Sequence, residues 1–176
     1  MQERTFILGA LVDNEFGVLT RVAGMFARRG YNIDSLTVGP TEDPKISRMT
    51  IKSTGDDYIK GQITKQLLKL EDVRQVVVLS DEPSVTRELM LIKVAASQER
   101  HSEIMEAVKV YRAKVIDLCA SALTIEITGE TTKLDAFVEY MRPYGIAELT
   151  RTGATTIQRG MNRLVDIDEY EERGAV

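Results

Sequence analysis

The two halves of the chain carry the same order of strand and helix patterns, and this repeat constrains the fold more than any other feature. In the first half, runs typical of strands lie at residues 5–12, 32–38, 47–53 and 73–79. In the second half, the corresponding runs lie at residues 88–96, 113–120, 122–129 and 146–150. In each half, a helical pattern follows the first strand and another follows the third. The sequence therefore predicts an α+β fold of two βαββαβ units, each ferredoxin-like.

Direct similarity between two short segments supports the repeat. MTIKSTG at residues 49–55 aligns with LTIEITG at residues 123–129, and four of the seven positions are identical. The segment Asp81-Glu82-Pro83-Ser84 lies between the halves and has the composition of a linker. We therefore expect one domain at residues 1–80, a second at residues 85–160, and a polar, solvated and partly disordered tail at residues 161–176.

Composition and charge argue against several classes of partner. The net charge is −4 and the isoelectric point is near 5.2, whereas a nucleic-acid-binding domain usually carries a basic footprint. The single cysteine allows no disulfide within the chain, which fits a reducing compartment. No run approaches the roughly 18 apolar residues of a membrane span, and the first residues lead into a strand pattern rather than a signal peptide. We expect a cytoplasmic protein with no nucleic-acid or membrane partner.

Residues that commonly carry catalysis or bind metals are sparse. His101, the one histidine, lies in a polar stretch of a predicted helix and is expected to be an ordinary exposed residue. Cys119, in an apolar run, is expected to be a small core residue. Together they cannot form a zinc site, and the chain has no phosphate-binding loop motif. We predict no catalytic residue and no metal site in this chain.

The stretch DNEFG at residues 13–17 precedes the first predicted helix and is the strongest candidate for a binding site. The leading N–H groups of a helix lack partners within the helix and carry partial positive charge, so a carboxylate can bind there. Gly17 allows close approach of a ligand to the backbone, and the Asn14 amide offers both a donor and an acceptor. This combination suits a free amino acid. The alternative is that both residues only form a turn from strand to helix.

The longer stretch DNEFGVLTRVAGMFARRGYNIDSL at residues 13–36 resembles the opening of an ACT domain, a small βαββαβ module that senses amino acids. RVAGMFARRGYNIDSLTVGPTEDPKISRMTI, ITKQLLKLEDVRQV and KLDAFVEYMRPYGIAELTRTG more closely resemble the regulatory, or small, subunit of acetolactate synthase, also called acetohydroxyacid synthase. The resemblance extends from about Arg4 to Arg163. The chain departs from the general ACT pattern at Phe16. ACT domains often have proline at this position, and proline would make the turn more rigid.

The resemblance implies that the chain is not itself the enzyme. In this family the catalytic large subunit carries thiamine diphosphate, magnesium and FAD. The small subunit forms a homodimer, binds the large subunit, raises its activity, and confers feedback inhibition by branched-chain amino acids, chiefly valine. The effector would lie between the ACT domains of two protomers. The residues implied are Asn14, Gly17, Val18 and Leu19 from one protomer, with Asn32 and Ile33 from the other.

Two other functions compete with this interpretation. A free-standing ACT sensor would control transcription or another enzyme, although no helix-turn-helix segment or basic patch supports control of transcription. An independent small enzyme would need catalytic groups that the sequence does not offer.

The second half is expected to serve dimerisation and contact with the large subunit. Its turn at residues 95–99 has neither glycine nor asparagine, so we predict no equivalent amino-acid site. The RTG at 151–153 and RG at 159–160 resemble family motifs, and the alternative for them is a turn with surface arginines.

Overall fold

The computed structural model describes residues 3–81 and 83–164, and the chain divides into two compact units. The first unit comprises the residues up to Val85 together with those from Ala154 onward, and the second comprises Thr86–Gly153. Most of the tail expected at residues 161–176, from residue 165 on, lies outside the described residues.

The first unit contains four strands and two helices in the predicted order. These elements are β1 (Arg4–Asp13), α1 (Val18–Arg28), β2 (Ser35–Pro40), β3 (Ile46–Gly55), α2 (Asp57–Leu67) and β4 (Val73–Val78). The strands form an antiparallel sheet in the order β2-β3-β1-β4. The ladder between β1 and β3 runs from the pair Arg4–Gly55 to the pair Asp13–Ile46. The ferredoxin-like prediction is therefore confirmed for this half.

The main core of the first unit lies between one face of the sheet and the two helices. Alternate residues of β1 face this core because successive side chains of a strand point to opposite faces. Its buried members are Phe6, Leu8, Ala10, Val12, Val18, Val22, Met25, Phe26, Met49, Ile51, Ile63, Leu67 and Val73. Asp56 caps α2 by accepting a hydrogen bond from the Ile59 N–H at 2.8 Å. Gly30, with φ 69°, follows α1 in the left-handed conformation expected there.

The second unit repeats the arrangement with a sheet in the order β6-β7-β5-β8. Its elements are β5 (Ser84–Ala95), α3 (His101–Val110), β6 (Lys114–Cys119), β7 (Ala122–Gly129), α4 (Thr131–Met141) and β8 (Ile146–Arg151). Its buried core residues are Met90, Ile92, Val94, Ala96, Ile104, Ala107, Val108, Leu123, Ile125, Ile127, Leu134, Phe137 and Met141. The second half is therefore also a ferredoxin-like unit.

Residues 154–164 belong with the first unit and include a strand, β9 (Thr155–Gln158), that the sequence did not predict. The Thr37 hydroxyl donates to the Ala154 carbonyl at 3.0 Å, and Arg48 Nη2 donates to the Thr156 carbonyl at 2.7 Å. The compact second unit thus ends at Gly153, whereas the sequence placed residues up to 160 in the second domain. The difference arises because these hydrogen bonds join residues more than a hundred positions apart in the sequence.

Leu164 forms a small separate core with Leu11 and Leu79. Leu11 is absent from the core beneath the helices, so this cluster lies on the opposite face of the first sheet. Gly9 permits the close packing, since a Cβ at this position would lie 2.8 Å from Leu79 Cδ1 and 3.3 Å from Leu164 Cδ1. A side chain at residue 9 would therefore displace both leucines.

Three local expectations from the sequence need correction. Cys119 is exposed rather than buried, because it ends β6, an edge strand whose side chains are mostly exposed. His101 is half-buried rather than exposed, since it begins α3 and its ring lies 3.2 Å from the Ala96 carbonyl oxygen. The linker expected at residues 81–84 is shorter, because a 3₁₀ turn extends through Leu79–Asp81 and β5 begins at Ser84.

Candidate functional site at the start of the first helix

Gly17 marks the start of α1 and holds the left-handed conformation, with φ 85°. No side chain caps the helix, and its first turn contains no acidic residue. This contrasts with α2, whose first turn is capped by Asp56. The Val18 N–H makes a long hydrogen bond to the Glu15 carbonyl at 3.5 Å, whereas the Leu19 and Thr20 N–H groups make none with the described residues. These two N–H groups of α1 are therefore open to an acceptor from outside the unit, and the helix dipole favours an anionic one. The conformation of Gly17 is one that a residue with a Cβ adopts only at a cost.

The side chains around this helix start are apolar and differ in exposure. Val18 is only 3% exposed and belongs to the main core, whereas Leu19 is 46% exposed. Phe16, directly before Gly17, is fully exposed. Gly17, Val18 and Leu19 are therefore consecutive at a surface that offers both backbone donors and apolar contact area. Phe16 and Leu19 supply exposed apolar area that a ligand or a second protomer would cover.

Asn14, just before the start of α1, is hydrogen-bonded to the loop between β2 and β3 and to the start of β3. Its backbone N–H donates to the Lys45 carbonyl at 2.7 Å, and its Nδ2 donates to the Pro44 carbonyl at 2.8 Å. Its Oδ1 accepts a hydrogen bond from the Ser47 hydroxyl at 3.0 Å. An amide has two donors and two acceptor lone pairs. One donor and one lone pair of Asn14 therefore remain for a ligand, while its orientation is fixed by the loop.

Asn32 and Ile33 lie beyond the other end of α1. The helix has 11 residues, which corresponds to roughly 16 Å at 1.5 Å per residue. Asn32 is exposed and its Nδ2 donates to Asp34 Oδ1 at 2.7 Å, while Ile33 packs partly buried against the main core. The structure thus brings together Asn14, Gly17, Val18 and Leu19. It places Asn32 and Ile33 at the other end of the helix.

Arg21 is a residue of this region that the sequence analysis did not select. Its guanidinium makes two hydrogen bonds to Asp72, from Nε at 2.5 Å and from Nη2 at 2.7 Å. Its Nη1 lies 3.0 Å from the position that a Cβ on Gly17 would occupy. Arg21 lies four positions after Gly17, so the helical period places it about one turn further along the same side of the helix. The Arg21 N–H donates to the Gly17 carbonyl at 3.0 Å. The four-residue spacing from Gly17 was the sequence signal that could have identified Arg21 as a neighbour of the site. Nothing in the sequence identified Asp72 as its partner.

The ion pair affects the titration of both residues. The hydrogen bonds from Arg21 hold the pKa of Asp72 below its ordinary value of 3.8. The same hydrogen bonds raise the pKa of Arg21. Arg21 is therefore a guanidinium, and Asp72 a carboxylate, throughout the physiological range. The start of α1 consequently has a guanidinium beside its open N–H groups, with its charge balanced by Asp72.

The corresponding position in the second unit is built differently. A 3₁₀ turn at Gln98–Arg100 leads into α3, whose N-cap residue Arg100 has φ −91° rather than a left-handed value. The Arg100 guanidinium lies 4.4 Å from the centre of the Tyr144 ring, which is within the range of a cation–π contact. Like α1, α3 has no side-chain cap, but it lacks a left-handed glycine at its start. That the second unit has no amino-acid site equivalent to the one at Gly17 stays a prediction.

The structure gives RTG at 151–153 a role within the second unit. Arg151 pairs with Asp135 at 2.7 Å and lies 3.8 Å from Glu88, a carboxylate that is only 5% exposed. The Thr152 N–H donates to the Leu89 carbonyl at 3.0 Å, continuing the contact with β5. Arg151 therefore compensates an otherwise costly buried charge.

The RG at 159–160 has a role within the first unit. The Arg159 N–H donates to the Pro83 carbonyl at 2.8 Å, and its Nε donates to the Ser84 carbonyl at 3.2 Å. Gly160 has φ 69°, a left-handed conformation that favours glycine. This segment thus fixes the end of β9 against the start of β5.

Within residues 3–81 and 83–164, no group of three or more histidine, cysteine, aspartate or glutamate side chains is arranged to hold a metal ion. None of the helices in the described part of the chain has the length and apolar character needed to cross a membrane.

The βαββαβ fold of the first unit is that of an ACT domain, and a comparison with protein-family models agrees with this class. Residues 8–75 match the family model described as the AHAS small subunit-like ACT domain, and residues 87–160 match the model described as the small subunit of acetolactate synthase. The first unit is therefore an ACT domain, and the second matches the domain described for the small subunit of acetolactate synthase.

The similarity to individual proteins covers nearly the whole chain. A probable acetolactate synthase small subunit from Methanothermobacter thermautotrophicus is 49% identical over 161 residues, covering 91% of this chain and 96% of the relative. The acetolactate synthase isozyme 3 small subunit from Escherichia coli is 44% identical, covering 88% of this chain and 95% of the relative. The crystal structure of the small subunit from Thermotoga maritima aligns with a TM-score of 0.82 at 40% identity, covering 90% of this chain and 99% of that one. The chain belongs to the family of acetolactate synthase small subunits.

Proposed function

We propose that this regulatory subunit activates the catalytic large subunit of acetolactate synthase and confers feedback inhibition by a branched-chain amino acid, chiefly valine. The observation that carries the proposal is the open start of α1, where Gly17 is left-handed and no side chain takes the leading N–H groups. The family membership implies a catalytic large subunit as partner. It does not favour the alternative of a free-standing sensor.

A bound valine would use both its charged backbone groups and its apolar side chain at this position. Its carboxylate would accept hydrogen bonds from the N–H groups at the start of α1, beside the positive charge of Arg21. Its ammonium group would donate to the remaining Oδ1 lone pair of Asn14. Burying its isopropyl group near Val18 and Leu19 would contribute roughly 1.5–3 kcal/mol. These terms together suit an effector that binds reversibly.

The site would be completed only in a homodimer. Asn32 and Ile33 lie about one helix length from Gly17 within a protomer, so a second protomer would have to supply them. A ligand shared by two protomers changes how they pack, and such a change alters an equilibrium when the ligand prefers one arrangement. This provides a physical route from valine binding to a change in the bound enzyme.

The subunit itself would be non-catalytic. Thiamine diphosphate, magnesium and FAD are assigned to the large subunit, and none of them to this chain. The cytoplasmic location expected from the sequence stays a prediction. Residues of the second unit would serve dimerisation or contact with the large subunit.

Calorimetry of the purified full chain against valine, leucine and isoleucine would test the effector site. We expect saturable binding of at least one of the three, with one ligand per site shared by two protomers. Absence of heat from all three at millimolar concentration would contradict the proposed site. In a parallel assay, the chain alone should form no acetolactate from pyruvate, and adding it to the large subunit should raise the rate. Turnover by the chain alone would contradict the non-catalytic role.

A further inference from the structure

A basic groove lies between α1 and the end of α2 on the first unit, and of its lining residues only Arg21 also borders the proposed effector site. The groove has a volume of about 530 Å³ and is lined by Arg21, Met25, Arg28, Arg29, Gln66, Lys69 and Leu70. Four of these seven residues are cationic and none is acidic. The chain as a whole has a net charge of −4, so this concentration of positive charge is local. Grouping like charges disfavours the compact state unless a partner compensates them.

Most of this positive charge is not compensated by the residues that the structure describes. Neither Arg28 nor Lys69 makes a side-chain hydrogen bond or ion pair with the residues that the structure describes. Arg29 Nη2 donates to the neutral amide oxygen of Gln66 at 2.8 Å. Among these four cations, only Arg21 pairs with an acidic residue of the described chain, Asp72. The groove therefore presents three cations that no acidic side chain of the described residues compensates: Arg28 at the end of α1, Arg29 directly after it, and Lys69 just beyond α2.

We propose that this groove is the docking surface for an acidic segment of the catalytic large subunit, and that Arg21 couples it to the effector site. This inference rests on the proposed function. An open groove with cations spread from the middle of α1 to the segment after α2 fits an extended acidic segment, whereas a small anion needs donors that converge on one point. Met25 and Leu70 add an apolar floor, and arginine and methionine are enriched at protein interfaces.

The chain's own acidic tail is a less suitable occupant. Residues 165–176 contain five acidic residues and one arginine. Leu164, the last described residue, packs in the cluster on the sheet face opposite the helices. Twelve residues span at most about 40 Å when fully extended. The tail thus leaves the unit on the sheet face opposite the groove, and deletion of residues 165–176 tests whether it is the occupant.

Arg21 links the groove to the effector site because it belongs to both. Its guanidinium lines the groove, pairs with Asp72, and lies beside the Gly17 backbone where the ligand carboxylate would bind. A bound carboxylate would compete with Asp72 for this guanidinium. Arg21 thus has two alternative carboxylate partners, and the choice between them changes the charge and shape of the groove. Such a two-state element is what coupling between two sites requires.

The docking surface can be tested by charge reversal with a matched control. The double variant Arg28→Glu/Lys69→Glu should weaken binding of the full chain to the purified large subunit at least tenfold, by biolayer interferometry at physiological salt. Arg4→Glu/Lys65→Glu makes the same charge change at two exposed residues of the first unit outside the groove and should change affinity less than twofold. Affinity of the wild type should fall as salt rises, and the dependence should be shallower for the groove variant.

Three outcomes overturn the docking proposal. The first is a groove variant that binds the large subunit within twofold of the wild type. The second is equal weakening by the control pair, which would show a general charge effect. The third is tighter binding after deletion of residues 165–176, which would identify the tail as the occupant. Arg28→Gln/Lys69→Gln provides a milder pair if the reversal impairs folding. A wild-type chain that fails to bind the large subunit would instead overturn the proposed function itself.

The coupling through Arg21 is tested by Asp72→Asn, which removes the competing carboxylate without changing the groove lining. We expect this variant to bind valine more tightly than the wild type, by calorimetry. Saturating valine should change the affinity of the wild type for the large subunit at least fivefold, and that of the variant less than twofold. Unchanged valine affinity together with full coupling in the variant would show that Arg21 does not connect the two sites.

Discussion

Arg21 and Asp72 are 51 positions apart in the sequence and are joined by two hydrogen bonds of 2.5 and 2.7 Å. The Asp72 carbonyl also accepts a hydrogen bond from the Asp13 N–H at 2.9 Å. The loop that precedes β4 and the turn that follows β1 are therefore held together at the start of α1. This arrangement places a fixed cation beside Gly17 before any ligand arrives.

The Arg21–Asp72 pair predicts a specific dependence of stability on pH. The folded pKa of Asp72 is below its ordinary value of 3.8, so the pair contributes stability above that pH and loses it as pH falls further. We expect the difference in urea midpoint between the wild type and Asp72→Asn to shrink between about pH 4 and pH 2. Urea unfolding across this range checks the prediction. A difference that grows as pH falls would contradict it.

Asn32→Ala should weaken valine inhibition while leaving activation of the large subunit largely intact. Asn32 is exposed, so its removal should change the free energy of unfolding by less than about 0.5 kcal/mol. Losing a hydrogen bond to a charged ligand group costs about 1.5–3 kcal/mol, equivalent to roughly a 10- to 150-fold loss of valine affinity. An acetolactate assay with increasing valine measures this shift. Asn162→Ala, another exposed asparagine, is the control, and equal valine sensitivity in both variants would remove Asn32 from the site.

Gly17→Ala should lower both stability and valine affinity. The left-handed conformation costs a residue with a Cβ about 1–2 kcal/mol, and the new methyl group would lie 3.0 Å from Arg21 Nη1. Gly24→Ala is the matched control, because Gly24 lies inside α1 and no neighbouring group lies within 4 Å of the position that its Cβ would occupy. That control should be stabilised by about 0.4–1 kcal/mol. Thermal unfolding compares the two, and a Gly17→Ala protein as stable as the control would refute the conformational argument.

Leu164→Ala should destabilise the first unit by about 2–4 kcal/mol, since Leu164 is only 8% exposed and packs against Leu11 and Leu79. Leu68→Ala removes the same atoms at a side chain that is 47% exposed and should cost less than about 1 kcal/mol. Denaturant unfolding of both variants provides the comparison. Similar small losses in both would show that residues 154–164 do not stabilise the fold.

The sequence predicted the local elements well because the spacing of apolar residues that marks each strand or helix lies within a short segment. The strand predicted at residues 122–129 matches β7 at both ends. Strand boundaries were less accurate where a helix that ends in glycine leads into an edge strand: β2 begins at Ser35 rather than at residue 32. Residues 32–34 instead use their polar groups locally, as in the hydrogen bond from Asn32 to Asp34. β9 was missed because it has only four residues.

The sequence by itself determined the two βαββαβ units, the glycine at the start of α1, and the resemblance that identified the family. These features depend on residues that are neighbours in the chain. Only the tertiary structure decided that Arg21 pairs with Asp72, that Asn14 is oriented by Pro44 and Ser47, and that Leu164 packs on the first unit. Each of these contacts joins segments that are distant in sequence, and such pairings follow from how the sheet and helices pack rather than from any local pattern.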